Sequence, residues 1–160
     1  MLAALGVVML WIGSVIEVMD ASMAVLASLF CVFAVIEYGK SAPWLVFCVT
    51  SLLSLILLPQ KLPAVLYALF FGYYPILKEK LEQKSRVVGW IWKEGIFHVA
   101  LAVILVCSRW LLMGTATQPL WYYGILVVLA EVIFPIYDLA LTRLISFYVY
   151  RLRSRLRIGK

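Results

Sequence analysis

Hydrophobic residues run in long blocks along this chain, separated by short polar gaps, and a few ionisable residues fall inside the blocks. The blocks cover residues 2–18, 21–38, 44–58, 63–77, 90–113 and 121–141. A helix crosses a bilayer with about 20 mostly apolar residues, so the pattern predicts six transmembrane helices. The gaps are small. Only Met19 and Asp20 separate the first two blocks, which makes that pair an antiparallel hairpin. Lys40 to Pro43 is a short loop, with Pro43 suited to the first turn of span three. Gly39 suits the cap that ends span two. Residues 59–63 form a second loop, and 114–119 read as a turn by composition. The most polar internal stretch, Lys78 to Arg86, reads as a helical extension into water.

Composition agrees with the pattern. Of the 160 residues, 66% are hydrophobic, against roughly half in a soluble domain. The fold class expected is therefore all-α, a polytopic membrane protein forming one six-helix bundle over residues 1–160. Six spans use the whole length, which leaves no room for a separate soluble domain. The apolar start, without Lys or Arg before Leu2, reads as a retained first span and not as a signal peptide.

The formal charge of +6 sharpens the topology. With the N-terminus inside, the inner loops hold Lys40, Lys78, Lys80, Lys84 and Arg86, and the arginine-rich tail ends at Lys160. The outer side keeps Lys61 and Arg109. Positive charge collects in cytoplasmic loops, so both termini are expected in the cytoplasm of a multi-pass cell-membrane protein. The basic partner is the anionic leaflet of the lipid bilayer, and no nucleic acid is implied. Cys31, Cys48 and Cys107 all lie in apolar blocks without C-x-x-C spacing, and read as small buried side chains.

Ionisable residues inside the blocks are costly, at about 2.5–3.5 kcal/mol for a charge at mid-bilayer. Glu131 lies near the middle of span six, with Pro135 and Asp138 on the same face and Thr142 continuing the row. Pro135 frees a backbone carbonyl and makes a kink plausible. Span five carries Lys93, Glu94 and His98, the last two stacked at i, i+4. Lys93, Glu94, His98, Glu131 and Asp138 are thus expected to form an intramembrane polar cluster. It reads as a structural clamp between spans five and six, with a proton or ion relay as the alternative. In span four, Gly72 permits close helix approach, Pro75 suggests a bend, and Tyr73 and Tyr74 suit an interfacial belt. Span two offers a small-residue face at Ala24 and Ser28, with Ala21 and Ala27 beside it, and Ala3, Ala4 and Gly6 do the same at the start of span one.

A second cluster is expected at the outer side. It holds Glu17 and Asp20 on the first hairpin, Lys61, Arg109 and Trp110 at the end of span five, and Gln118, Trp121, Tyr122 and Tyr123. Aromatic residues form belts at membrane interfaces. Apolar walls with a few charges also suit a small organic ligand. Catalysis finds little support. His98 has no second histidine for a zinc site of the H-E-x-x-H type, and there is no phosphate-binding glycine loop or G-x-S-x-G turn. No cofactor or metal is expected.

Six compact spans with both termini inside, the opening Met1-Leu-Ala-Ala-Leu-Gly-Val-Val-Met9 and the short hairpin into Ala21 to Glu37 resemble the substrate-binding S-component of energy-coupling-factor vitamin transporters. The family's alanine-x-x-x-alanine pattern in span one is not matched: Ala3 is followed four on by Val7, and Ala4 by Val8. The resemblance implies a vitamin-like ligand bound from outside, a transmembrane coupling subunit and cytoplasmic ATPases as partners. Its expected binding residues are Glu17, Arg109, Trp110, Trp121 and Tyr122. Two other readings stand beside it: a non-transporting scaffold of cell-envelope machinery, and a proton-coupled carrier using Glu131, Asp138 and His98.

Overall fold

The computed structural model describes residues 1–39, 41–82, 86–111 and 120–152, with side chains except at 17, 86–87, 108–111, 120 and 151–152. Among these residues every regular element is helical. The chain divides into two compact units, Met1–Ser108 and Arg109–Lys160. The expected turn at 114–119 and the basic tail beyond residue 152 lie outside the described residues.

In the first unit α1 runs over Leu2–Val15 and a 3₁₀ turn over Glu17–Met19, and α2 follows over Asp20–Tyr38. The hairpin forms as expected, but α1 stops earlier than residue 18. Ile16 leaves the helical region at φ −107° and ψ 85°. Gly13 lets α1 and α2 touch, because a Cβ there would lie 2.8 Å from Met23 Cβ. Asp20 is buried in the first turn of α2, where the helix dipole favours a carboxylate. The far end of α2 closes at Gly39 with φ +74°, a left-handed value that favours glycine.

Helix α2 is the hub of this unit. It contacts α1, α3 (Ala42–Leu57), α4 (Leu62–Leu66), the π-helical turn Tyr67–Phe71 and α5 (Tyr74–Leu81). Its buried residues include Ala24, Ala27, Ser28, Cys31 and Ala34. Small side chains at this spacing let neighbouring helices approach closely. Ala24, Ala27 and Ser28 are fully enclosed, whereas Ala21 is exposed. Leu10, Leu58, Ala64 and Tyr67 pack with Ala24 and Ala27 as the core.

Helix α3 is built inside out. Thr50, Ser51 and Ser54 are buried, while Leu45, Leu52, Ile56 and Leu57 are each more than half exposed. Cys48 is on the exposed side too, contrary to its expected burial, whereas Cys31 is buried and Cys107 half-buried. The reason is local: Cys48 falls on the same outer face as Leu45 and Leu52. Lys61 donates to the carbonyl oxygens of Leu58 (2.6 Å) and Ile56 (3.5 Å), capping the end of α3.

The fourth apolar block is not one straight helix. It is divided into α4, the π-helical turn, a break at Gly72–Tyr73, and α5. The Gly72 amide donates to the Tyr67 carbonyl at 2.7 Å, an i→i+5 bond. A Cβ at Gly72 would come within 2.8 Å of both the Phe47 and Tyr67 rings. Pro75 falls in the first turn of α5, where its missing amide hydrogen costs nothing.

Helix α6 covers Arg86–Leu111. In the second unit α7 spans Leu120–Phe147, followed by a π-helical turn at Tyr148–Leu152. Helix α7 passes through Pro135 without interruption and continues beyond the expected end at residue 141. Among the described residues, three helical segments are long and apolar enough to cross a membrane: Asp20–Tyr38, Val88–Cys107 and Trp121–Tyr150. Helices α1 and α3 are apolar but shorter, with 14 and 16 residues.

Candidate functional site

Two buried ammonium groups of the first unit lie where α5 meets α6. Lys78 sits on α5 and is completely buried. This corrects the expectation that the whole stretch from Lys78 to Arg86 extends into water; Glu79, Lys80 and Glu82 are exposed, but Lys78 turns inward. The Lys78 ammonium lies 2.9 Å from Glu82 Oε1, one turn further along. Lys93 of α6 reaches the same oxygen at 3.4 Å and is itself 6% exposed. Glu82 is 44% exposed, so one half-solvated carboxylate serves two buried ammonium groups.

The surrounding chain explains why these groups meet. Helix α6 starts tight against the end of α5, since a Cβ on Gly89 would lie 3.1 Å from the Leu81 carbonyl oxygen. From Gly89 the buried face of α6 continues through Lys93, Phe97 and Ala100, a helical spacing of four, four and three. Phe97 meets Phe70 edge to face with ring centres 5.6 Å apart, and Phe70 stacks at a tilt on Tyr74 at 5.0 Å. Tyr74 and Tyr67 are fully buried. Tyr74 is therefore a core residue and not part of an interfacial belt; the break at Gly72 redirects the chain and turns it inward. Tyr73 packs edge to face on Phe47 at 6.0 Å.

The expected polar cluster divides by face. Glu94 and His98 stack as their spacing requires, with Nδ1 of His98 3.8 Å from the Glu94 carboxylate and 2.8 Å from the Glu94 carbonyl oxygen. Both point away from the buried face that carries Lys93, and the His98 side chain is 59% exposed. The five expected members therefore do not all share one surface. In α7, Phe134, Tyr137, Asp138 and Leu141 are buried and Glu131 is half-buried. Asp138 and Glu131 thus share the more buried side of that helix, and the Thr142 hydroxyl donates to the Asp138 carbonyl at 2.9 Å.

The expected outer site is only partly described. The side chains of Glu17, Arg109 and Trp110 lie outside the described ones. Trp121 is 67% exposed and Tyr122 41% exposed at the start of α7. Tyr122 meets Tyr123 edge to face at 6.0 Å. Asp20 and Lys61, also expected there, serve helix ends as described above. An apolar hollow between Met1, Tyr38, Leu45 and Val49 lies at the Gly39 end of the first unit. It is lined by apolar surface, so it has little means of selecting a polar molecule.

Sequence reasoning missed Lys78 and Glu82 as members of a buried site. The only local signal is the i, i+4 spacing of the pair; the burial comes from packing between helices, α2 against α5 among them. Among the described residues no group of three or more His, Cys, Asp or Glu is placed to hold a metal ion. No protein-family model matches the chain, nor does any curated protein or solved structure.

Proposed function

We propose that this chain is a six-span membrane protein with both termini in the cytoplasm, and that it binds a small organic molecule from the outer side as the substrate-binding subunit of a transporter. The observation that carries the proposal is the interrupted fourth block. Non-helical backbone at membrane depth persists only where protein buries it or where it lines a cavity. Discontinuous helices recur at transporter binding sites. Here the break at Gly72–Tyr73 is enclosed by aromatic rings and leads directly to the buried Lys78. Membrane residence is further supported by α3, whose hydroxyls face inward and whose leucines face outward. Without water there is no drive to bury leucine, and small or hydroxyl side chains mark helix contacts instead.

On this reading α1, α3 and the α4–α5 pair cross as shorter or interrupted spans beside the three long ones. The ligand site is the outer group Glu17, Arg109, Trp110, Trp121 and Tyr122. The partners are a transmembrane coupling subunit and cytoplasmic ATPases, with the Lys78–Glu82–Lys93 end nearest to them. The test is binding of a panel of radiolabelled water-soluble vitamins to purified protein. One vitamin is expected to bind, and Arg109→Ala and Trp121→Ala to weaken it at least tenfold while the protein stays folded. Equal affinity in the folded double variant would remove this site. A scaffold reading is favoured by one observation, the filled core of the first unit around Leu10, Ala24, Ala27 and Tyr67. That reading expects no vitamin to bind and cell-envelope proteins, not ATPases, to co-purify.

A further inference from the structure

Helix α3 presents Leu45, Val49, Leu52, Leu53, Ile56 and Leu57 on its exposed side. The helix is short for a span. Its 16 residues rise about 24 Å, against about 30 Å for the hydrocarbon core of a bilayer. Tilting lowers the height of a helix, so tilt cannot make up the difference.

Both ends of this face are fixed. The chain leaves α3 at Leu58, whose backbone is extended at φ −75° and ψ 134°. A lysine beside a span ordinarily stretches away from the hydrocarbon, which lengthens the stretch that lipid accepts. Lys61 does the reverse. Its ammonium group is folded back onto the Leu58 carbonyl oxygen at 2.6 Å and reaches that of Ile56 at 3.5 Å. The charge therefore sits against the last turn of α3. At the other end Ser41 is exposed ahead of the first turn, and Trp44 is partly exposed within it. Aromatic residues of this kind mark a membrane interface.

A span shorter than the core is accommodated by reaching flanks, by association with other protein, or by a thinner bilayer. The folded Lys61 removes the first at its end. The second is disfavoured by the face itself. Helices in membranes meet through small and hydroxyl residues, and on α3 those residues, Thr50, Ser51 and Ser54, are already buried inside the unit. Apart from Cys48, the exposed side beyond Trp44 offers branched aliphatic chains. We propose that lipid covers this face, and that α3 holds the bilayer beside it thinner than the surrounding membrane, taking phospholipids with short acyl chains as its neighbours. The longer helices do not oppose this, because a long span can tilt into a thin membrane.

The proposal rests on the membrane reading above, and the test separates the two. Protein retained in membranes after alkaline carbonate extraction is reconstituted in brominated dioleoylphosphatidylcholine mixed with dimyristoleoyl-, dioleoyl- or dierucoylphosphatidylcholine. Quenching of tryptophan fluorescence gives the relative association constant of each lipid. Subtracting the signal of Trp44→Phe isolates the lipid at α3. There the dimyristoleoyl lipid is expected to associate at least about threefold more strongly than the dierucoyl lipid. Gln60→Leu combined with Lys61→Leu, which takes the charge off the end of α3, is expected to move the preference to the dioleoyl lipid. Loss of the chain into the carbonate supernatant would overturn both readings. Equal constants for the three lipids, or a preference for the dierucoyl lipid, would overturn only the thin-bilayer proposal. So would an unchanged preference in the folded double variant. Trp44 fluorescence that brominated lipid does not quench would do the same, and would mean that protein covers α3.

Discussion

Two buried polar regions of the first unit behave differently. On α3 the buried groups are the hydroxyls Thr50, Ser51 and Ser54; at the α5–α6 junction they are the ammonium groups of Lys78 and Lys93. A hydroxyl can return its proton to its own helix, as Ser54 does to the Ser51 carbonyl at 3.0 Å and Ser28 to the Val25 carbonyl at 2.6 Å. Such residues permit close packing but ask little of their neighbours. An ammonium group needs an anion, and Lys93 finds one at the end of another helix, at Glu82 just past α5. The first region therefore tells how tightly helices pack. The second ties one particular pair of helices together.

The comparison breaks most sharply at Gly72, which lies between the two regions. Gly72→Leu drives a side chain into the Phe47 and Tyr67 rings, already 2.6–2.8 Å from the position of a first carbon. A loss of at least about 3 kcal/mol is expected, read as a large fall in Tm of the purified protein in detergent. An unchanged Tm would mean that α4 and α5 are not joined by this tight break.

Glu82→Ala probes the junction itself. It removes the oxygen that both buried ammonium groups reach, and a loss of about 1–2 kcal/mol is expected, reduced from a fully buried pair because Glu82 is 44% exposed. Lys78→Met is expected to cost less than Glu82→Ala, because it leaves behind a carboxylate that water can solvate. Detergent unfolding curves of the two variants sharpen the comparison; the reverse order would mean that Glu82 is not the shared anchor.

The smallest effect is expected on α3. Thr50→Val keeps the shape and removes only a long bond to the Ala3 carbonyl, 3.4 Å. Under about 1 kcal/mol should be lost, and a larger fall in Tm would place α3 among the regions that depend on polar contacts.

The parts of this arrangement that follow local rules were legible in the chain. The hairpin at Met19–Asp20, the Gly39 cap and the stacking of Glu94 on His98 depend on residues within a turn of one another, and the structure has all three. The enclosed face at Ala24 and Ser28 was readable from spacing as well. What was not legible depends on distant residues. Gly72 and Pro75 signalled a bend, but the i→i+5 bond and the close seat of Gly72 against Phe47, which belongs to α3, had no local signal. Lys78 stands in a run of charges that reads as water-facing; its burial comes from the packing of α5 on distant parts of the chain such as α2. Of the candidate binding residues, Trp121 and Tyr122 are exposed at the start of α7, as aromatic residues at an interface would be. Spacing ties neither of them to Arg109 or Glu17, because residues far apart in the chain share no periodicity.

The membrane reading is tested most directly by spin-label accessibility along α3 in reconstituted vesicles. Single labels at Leu52 and Ile56 should collide readily with oxygen and poorly with a water-soluble nickel chelate, while labels at Ser51 and Ser54 should be shielded from both. That periodicity would mark a helix with its leucines in lipid and its hydroxyls in protein. Strong nickel collision at Leu52 and Ile56 would put the same face in water and contradict it.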